Sequence, residues 1–133
     1  MTTKFLQQKR EHMTDMQAPI VRCVNGVFVV EPGPDFSHIY EPALEHLAVL
    51  KLLSKSVAPP RIVFDMQHVD LIGSALIGFL VSVSRTLTKR NGTFALANAN
   101  KFCQTAINLA QLSTMLPNHD SVQSAIGLPA SEF

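Results

Sequence analysis

Two aspartates, a histidine, a serine and two glycines crowd one short stretch of this chain. Asp65-Met-Gln-His-Val-Asp-Leu-Ile-Gly-Ser-Ala-Leu-Ile-Gly-Phe-Leu80 leads from an apolar strand-like segment through a polar loop into an apolar helical one. A hydroxyl at such a junction, Ser74, suits the cap of a helix, where the first backbone N–H groups have no partner of their own. A phosphate is tolerated at the same place, because those N–H groups and the helix dipole favour negative charge. That charge would also disturb any partner docked there. Asp65 and Asp70 flank the loop. With no third carboxylate close in sequence, they fit turn capping and hydrogen bonding better than cation binding.

Other chemistries lack their arrangement. The five histidines, His12, His38, His46, His68 and His119, form no H-x-x-x-H or H-E-x-x-H pair. His46 follows Glu45 on a predicted helix, where a solvated position is the simpler reading. Cys23 lies in a predicted hairpin and Cys103 on a predicted helix, and both read as buried, inert thiols. Gly73 and Gly78 are spaced wrongly for a dinucleotide fingerprint, and no phosphate-loop motif occurs. Gly73-Ser74-Ala75 is not a nucleophile elbow, since the glycine after the serine is missing. No catalytic residue, cofactor or metal site is therefore expected. Arg85, Lys89, Arg90 and Lys101 read as a solvated rim, not a nucleic-acid surface.

Composition agrees. With 133 residues the chain suits one domain with a single core, and 47% hydrophobic against 16% charged residues excludes a disordered segment. A formal net charge of +1 excludes a polycation that coats nucleic acid. Two cysteines cannot staple a secreted domain, no Trp and one Tyr leave no base-stacking platform, and the cytoplasm is the expected compartment. The longest apolar run, Leu71 to Val83, is about 13 residues where a bilayer needs roughly 20, so it reads as a core helix and no membrane insertion is expected.

The elements that must position these residues follow from periodicity. Pro19 to Val24 and Val27 to Val30 are β-branched runs around Asn25-Gly26, the pair that tolerates positive φ, and predict a hairpin. Pro32 and Pro34 end its second strand. Ala43, Leu44, Leu47, Ala48, Leu50 and Leu53 predict a helix from near Glu41, stopped by Pro59-Pro60. Arg61 to Asp65 predicts a strand buried on both faces. A helix from Ser74 to about Arg90, a strand over Thr93 to Ala97, a helix from Phe102 to Leu116 and a short helix over Ser121 to Ile126 complete the order. Alternating strands and helices require crossovers, hence a single α/β domain whose sheet is mixed and mostly parallel. Residues 1–17 read as a leader without a signal peptide's apolar region, 18–127 as the domain and 128–133 as a tail. The hairpin valines, with Arg22 among them, leave two alternatives open: a self-pairing sheet edge, giving a homodimer, or a covered one.

The ordered set of Arg61-Ile-Val-Phe-Asp65, Val69-Asp-Leu-Ile-Gly-Ser-Ala-Leu-Ile-Gly-Phe-Leu80 and Lys89-Arg-Asn-Gly-Thr-Phe-Ala-Leu-Ala97 resembles the STAS domain family. This is the fold shared by bacterial anti-sigma factor antagonists and the cytoplasmic tails of sulfate transporters. The resemblance covers about residues 18 to 127 and implies four to five strands flanked by about four helices. In the family a pattern close to Asp-Ser-Ser-Gly-Leu-Gly-x-Leu follows the strand, and a partner kinase phosphorylates its second serine. Here the pattern reads Gly73-Ser74-Ala75-Leu76-Ile77-Gly78-Phe79-Leu80. Ala75 stands at the phosphoacceptor position and has no oxygen to accept a phosphoryl group, which leaves Ser74 as the phosphoacceptor candidate or as a plain cap.

What the resemblance implies is a non-enzymatic module similar to an anti-sigma factor antagonist, docking a serine protein kinase that sequesters a sigma factor. The expected docking residues are Asp35, His68, Asp70, Gly73, Ser74, Ala75 and Leu76. The alternative is a STAS-like subunit regulating an ABC-type transport assembly from the cytoplasm. A small enzyme or ligand-binding domain using the loop between Asp65 and Ser74 is the third reading, and it lacks a base–nucleophile pair.

Overall fold

A computed structural model describes residues 19–33, 47–56 and 61–127. The expected leader and tail, the start of the first helix, and Asp35, His12, His38 and His46 lie outside the described residues.

The hairpin forms as its turn residues dictate. β1 (Ile20–Val24) and β2 (Val27–Glu31) pair antiparallel with Val24 opposite Val27. Asn25 and Gly26 between them take φ of 49° and 77°. Both values fit the hairpin turn whose twist matches the strands, and Asn and Gly are the residues that reach them at least cost. β3 (Arg61–Asp65) and β4 (Thr93–Ala97) then add in parallel, and a two-residue β5 (Asn118–His119) closes the sheet in the order β1-β2-β3-β4-β5. Nothing in the sequence pattern pointed to β5, since two polar residues carry no strand periodicity.

The described helices are α1 (Ala48–Ser56), α2 (Ser74–Lys89), α3 (Lys101–Leu109) and α4 (Val122–Ile126). The helix expected to reach Leu116 stops at Leu109, and the chain turns at Gln111 with φ of 60°. Leu112 and Leu116 still meet the core from the segment after the helix, which explains how their spacing imitates a longer one. α4 ends as predicted on Gly127, at φ 86°.

Period-two alternation sorts the strand residues onto two faces. Val30, Ile62, Phe64 and Leu96 face one core together with Leu50 of α1, Leu76, Leu80, Val83 and Leu87 of α2, and Cys103 and Ile107 of α3. Val27, Val29, Val63 and Ala97 face the other, closed by Val122 and Ile126 of α4. β3 is accordingly buried from Ile62 to Asp65. Two-sided burial of apolar surface, at about 25 cal/mol per Å², is the main term holding the sheet between its helices. β1 differs: Ile20 and Val21 are 55% and 40% exposed, and Cys23 is exposed, which corrects the expectation of a buried thiol there. Edge position is the reason, because β1 has a strand on one side only among the described residues.

Candidate functional site

The loop from Met66 to Gly73 is built by alternating anchors and exposed residues. Met66 donates its N–H to the Ala97 carbonyl at 2.8 Å, and Val69 donates to Met66 at 3.0 Å, forming a turn as the chain leaves β3. Met66, Val69 and Ile72 bury their side chains in the core below. Asp70, Leu71 and Gly73 are thereby turned outward, and His68 is half-buried.

α3 holds the loop from the side. Asn100 caps that helix by accepting the Cys103 N–H at 2.8 Å, and its side-chain amide donates to the Asp70 carbonyl at 3.0 Å. The Cys103 thiol, fully buried, lies 3.7 Å from the same carbonyl. Burial pushes this thiol's pKa up, and the Asp70 carboxylate adds to the shift. It therefore stays protonated at neutral pH and is inert, as its helical position suggested. Asn100 was missed in the sequence, although an Asn just before an amphipathic run is an N-cap signal.

Where the loop meets α2, the structure corrects one expectation. Gly73, not Ser74, is the N-cap, in extended conformation and with no side-chain cap; its carbonyl accepts the Ile77 N–H at 3.0 Å. Ser74 is the first helical residue, exposed, and Ala75 beside it is exposed too. The hydroxyl is therefore not a cap.

The helix period decides the rest. Leu76 is fully buried and lies in the core with Leu80, Val83 and Leu87. A side chain with no accessible surface offers no contact area to a partner, so Leu76 leaves the expected docking set. Ala75, Gly78 and Ser82 point outward from the same helix. Gly73, Ser74, Ala75 and Asp70, with half-buried His68 on the same loop, are the expected residues that share this exposed loop and helix start.

Among the described residues no group of three His, Cys, Asp or Glu could hold a metal ion. Asp65 is 2% exposed and accepts the Gln67 N–H at 3.1 Å and the Asn98 side-chain amide at 3.0 Å, both on Oδ1. Hydrogen bonding, the simpler reading of Asp65, is what the structure shows. No described helix is long and apolar enough to cross a membrane.

The fold has solved relatives. An anti-sigma-factor antagonist (STAS) domain protein from Planctomyces limnophilus superposes with a TM-score of 0.77 at 20% identity, covering 83% of this chain and 96% of that one. A putative anti-sigma factor antagonist from Thermotoga maritima gives 0.67 at 19% identity, over 86% and 95% of the two chains. An anti-sigma factor antagonist from Mycobacterium paratuberculosis gives 0.67 at 21% identity, over 82% and 90%. No curated protein sequence matches the chain significantly. The STAS domain family model matches residues 16–125, nearly the interval on which the strand, loop and helix pattern had placed the resemblance. With the mixed five-stranded sheet and its helices, that match makes the chain a member of the STAS domain family.

Proposed function

We propose that the chain is a non-enzymatic, cytoplasmic protein-binding module that captures a serine-kinase-type anti-sigma factor through the loop and first turn of α2. The observation that carries this reading is the exposed run of Gly73, Ser74 and Ala75 beside Asp70, mounted on a loop pinned by Val69, Ile72 and Asn100. A small, preordered apolar centre with a polar rim loses little entropy on docking, which is how modest surfaces reach useful affinity. The usual phosphate switch is absent at Ala75, and Ser74 is the residue on this face that retains a hydroxyl.

The missing hydroxyl at 75 also favours a second reading. A module docked permanently, as a subunit of an ABC-type transport assembly would be, has no use for a phosphate that ejects it.

Affinity purification from the native cell, with the bound proteins identified, separates the two. A kinase with an ATP site, released by Ala75→Arg, supports the first reading. A transport ATPase or permease in its place sinks it and supports the second. Incubation with the captured kinase and ATP is expected to leave residue 75 unmodified, with any phosphate on this face mapping to Ser74 by mass spectrometry. Phosphate found only elsewhere ends the Ser74 assignment.

A further inference from the structure

The two edges of the sheet are unlike. β5 is two residues long and half-buried, and shortness is one way natural sheets keep an edge from pairing. β1 is a full five-residue strand in unbroken register with β2, and it has no strand on its outer side among the described residues. Its side chains are bare on both faces. Val21 and Cys23 stand on the face of α1 to α3, opposite Val30 and Phe28 of β2. Ile20 and Arg22 stand on the face of α4, opposite Glu31 and Val29, and all four β1 residues are exposed. A regular edge carrying exposed β-branched residues is a template for another strand.

The backbone is open at the same place. Residues flanking a two-residue turn exchange hydrogen bonds, and bonded and non-bonded pairs alternate along an antiparallel ladder. Val24, Arg22 and Ile20 therefore turn their N–H and C=O groups toward β2, and Val21 and Cys23 turn theirs away from the sheet.

We propose that β1 pairs antiparallel with β1 of a second copy of this chain, with Val21 on the two-fold axis, so that the two sheets become one. Opposite residues of an antiparallel pair share a face, so the axis must pass through a residue. An axis at Arg22 sets two guanidinium groups directly opposite each other, which is destabilising. An axis at Cys23 sets Val21 against the turn residue Asn25 and shortens the ladder. An axis at Val21 does neither. The two Val21 side chains, each 40% exposed, cover one another, and Val21 exchanges both of its outward hydrogen bonds with its copy. Ile20, 55% exposed, lies beside the aliphatic stem of Arg22 of the second copy. Glu31 stands opposite Ile20 on β2, where the Gln67 side-chain amide holds it, so the row across the joined sheet reads Arg22, Ile20, Glu31. Strands about 4.8 Å apart place the Cα atoms at the ends of this row about 10 Å apart, within the combined reach of an arginine and a glutamate. Symmetry makes that contact twice. A strand whose apolar residues and charge complement its own copy selects a second copy over an unrelated partner. The contact is small, below the roughly 1,200 Å² of stable interfaces, so the dimer is weak and concentration-dependent. It lies two strands from β3, whose loop leads to Ser74, and does not rest on the function proposed above.

Sedimentation equilibrium of the full chain at low salt, from micromolar to millimolar protein, should show a monomer–dimer transition. NMR over the same range should perturb the backbone amides of Val21 and Cys23 more than those of Ile20 and Arg22. In an equal mixture of isotope-labelled and unlabelled chains, Ile20 of one copy should contact Arg22 of the other. Val21→Lys should raise the dissociation constant at least about tenfold, because it sets two like charges against each other at the axis. Its thermal midpoint in dilute solution should be unchanged. Arg22→Glu alone should weaken the dimer about fivefold, the upper worth of an exposed ion pair, and Arg22→Glu combined with Glu31→Arg should restore it. That rescue decides the matter if Val21→Lys does not fold. The proposal is overturned by a monomer throughout the range, or by a charge-exchanged double variant no tighter than Arg22→Glu. A dimer indifferent to Val21→Lys and broken by Leu109→Asp also overturns it, since the contact then lies on exposed Leu109 of α3.

Discussion

Residue by residue, this chain separates groups that look alike in sequence. Ala75 and Leu76 are neighbours in one motif, yet one is exposed and the other has no accessible surface. Leu76→Ala should therefore cost about 2–5 kcal/mol, the range for deleting a buried leucine, and lower the thermal midpoint by several degrees. Ala75→Arg should leave that midpoint nearly unchanged, and a drop equal to that of Leu76→Ala would refute the assignment of the two faces. The cysteines divide in the same way. A thiol reagent should modify Cys23 in the native protein and Cys103 only after unfolding, so the titrated thiols should double in denaturant. Because burial raises the Cys103 pKa, the folded state holds that proton more tightly than the unfolded chain does. Its contribution to stability is complete below the ordinary thiol pKa of about 8.5 and fades as pH rises through and beyond it. Cys103→Ala should flatten that alkaline loss, measured by denaturant midpoints across the range, and an unchanged slope would remove Cys103 as its source.

At the level of elements, α3 does two tasks through one residue. Asn100 closes the start of the helix and also holds the Asp70 carbonyl of the loop that presents Ser74. Asn100→Ala should cost about 1 kcal/mol from the lost cap. It should also speed amide hydrogen exchange over 70–73 more than over the buried strand β3, because the anchor is lost locally. Equal acceleration everywhere would mean the loop does not depend on this contact. Asn98, two residues earlier in the chain, donates its side-chain amide to the Asp65 carboxylate. Two asparagines after β4 thus tie the exits of neighbouring strands together.

Across the whole molecule, the sheet divides the apolar interior into two clusters. Leu80 sits in the cluster under α1 to α3, and Ile126 in the one under α4. The intervening sheet keeps the two side chains from sharing partners, so Leu80→Ala and Ile126→Ala should each destabilise the protein and combine additively to within about 0.5 kcal/mol. Urea unfolding followed by two probes should remain one transition. A separate early transition in the Ile126 variant would show that α4 melts alone. The single sheet also accounts for the position of the candidate site: the loop from Met66 to Gly73 leaves β3 at the carboxyl ends of the parallel strands, where loops leave the rigid part of the fold.

Local sequence determined those features whose causes are local. Asn25-Gly26 specified the hairpin through its φ values, the β-branched runs specified β1 and β2, and the apolar period specified α2 from Ser74 to Lys89 almost to the residue. The motif around Gly73 to Leu80 was legible for the same reason, since its members are neighbours along one helix. Tertiary structure alone decided what depends on residues far apart in the chain. β5 exists because Pro117 to His119 meet the free side of β4, and Leu116 is buried and Leu112 partly buried against the core without being helical. The rotation of α2 against the sheet, fixed by packing and not by propensity, chose Leu76 for the core and left Ser74 and Ala75 outside. The contact of Asn98 with Asp65 is the extreme case: the two residues come from the ends of two strands, and only the sheet register brings their side chains to one place.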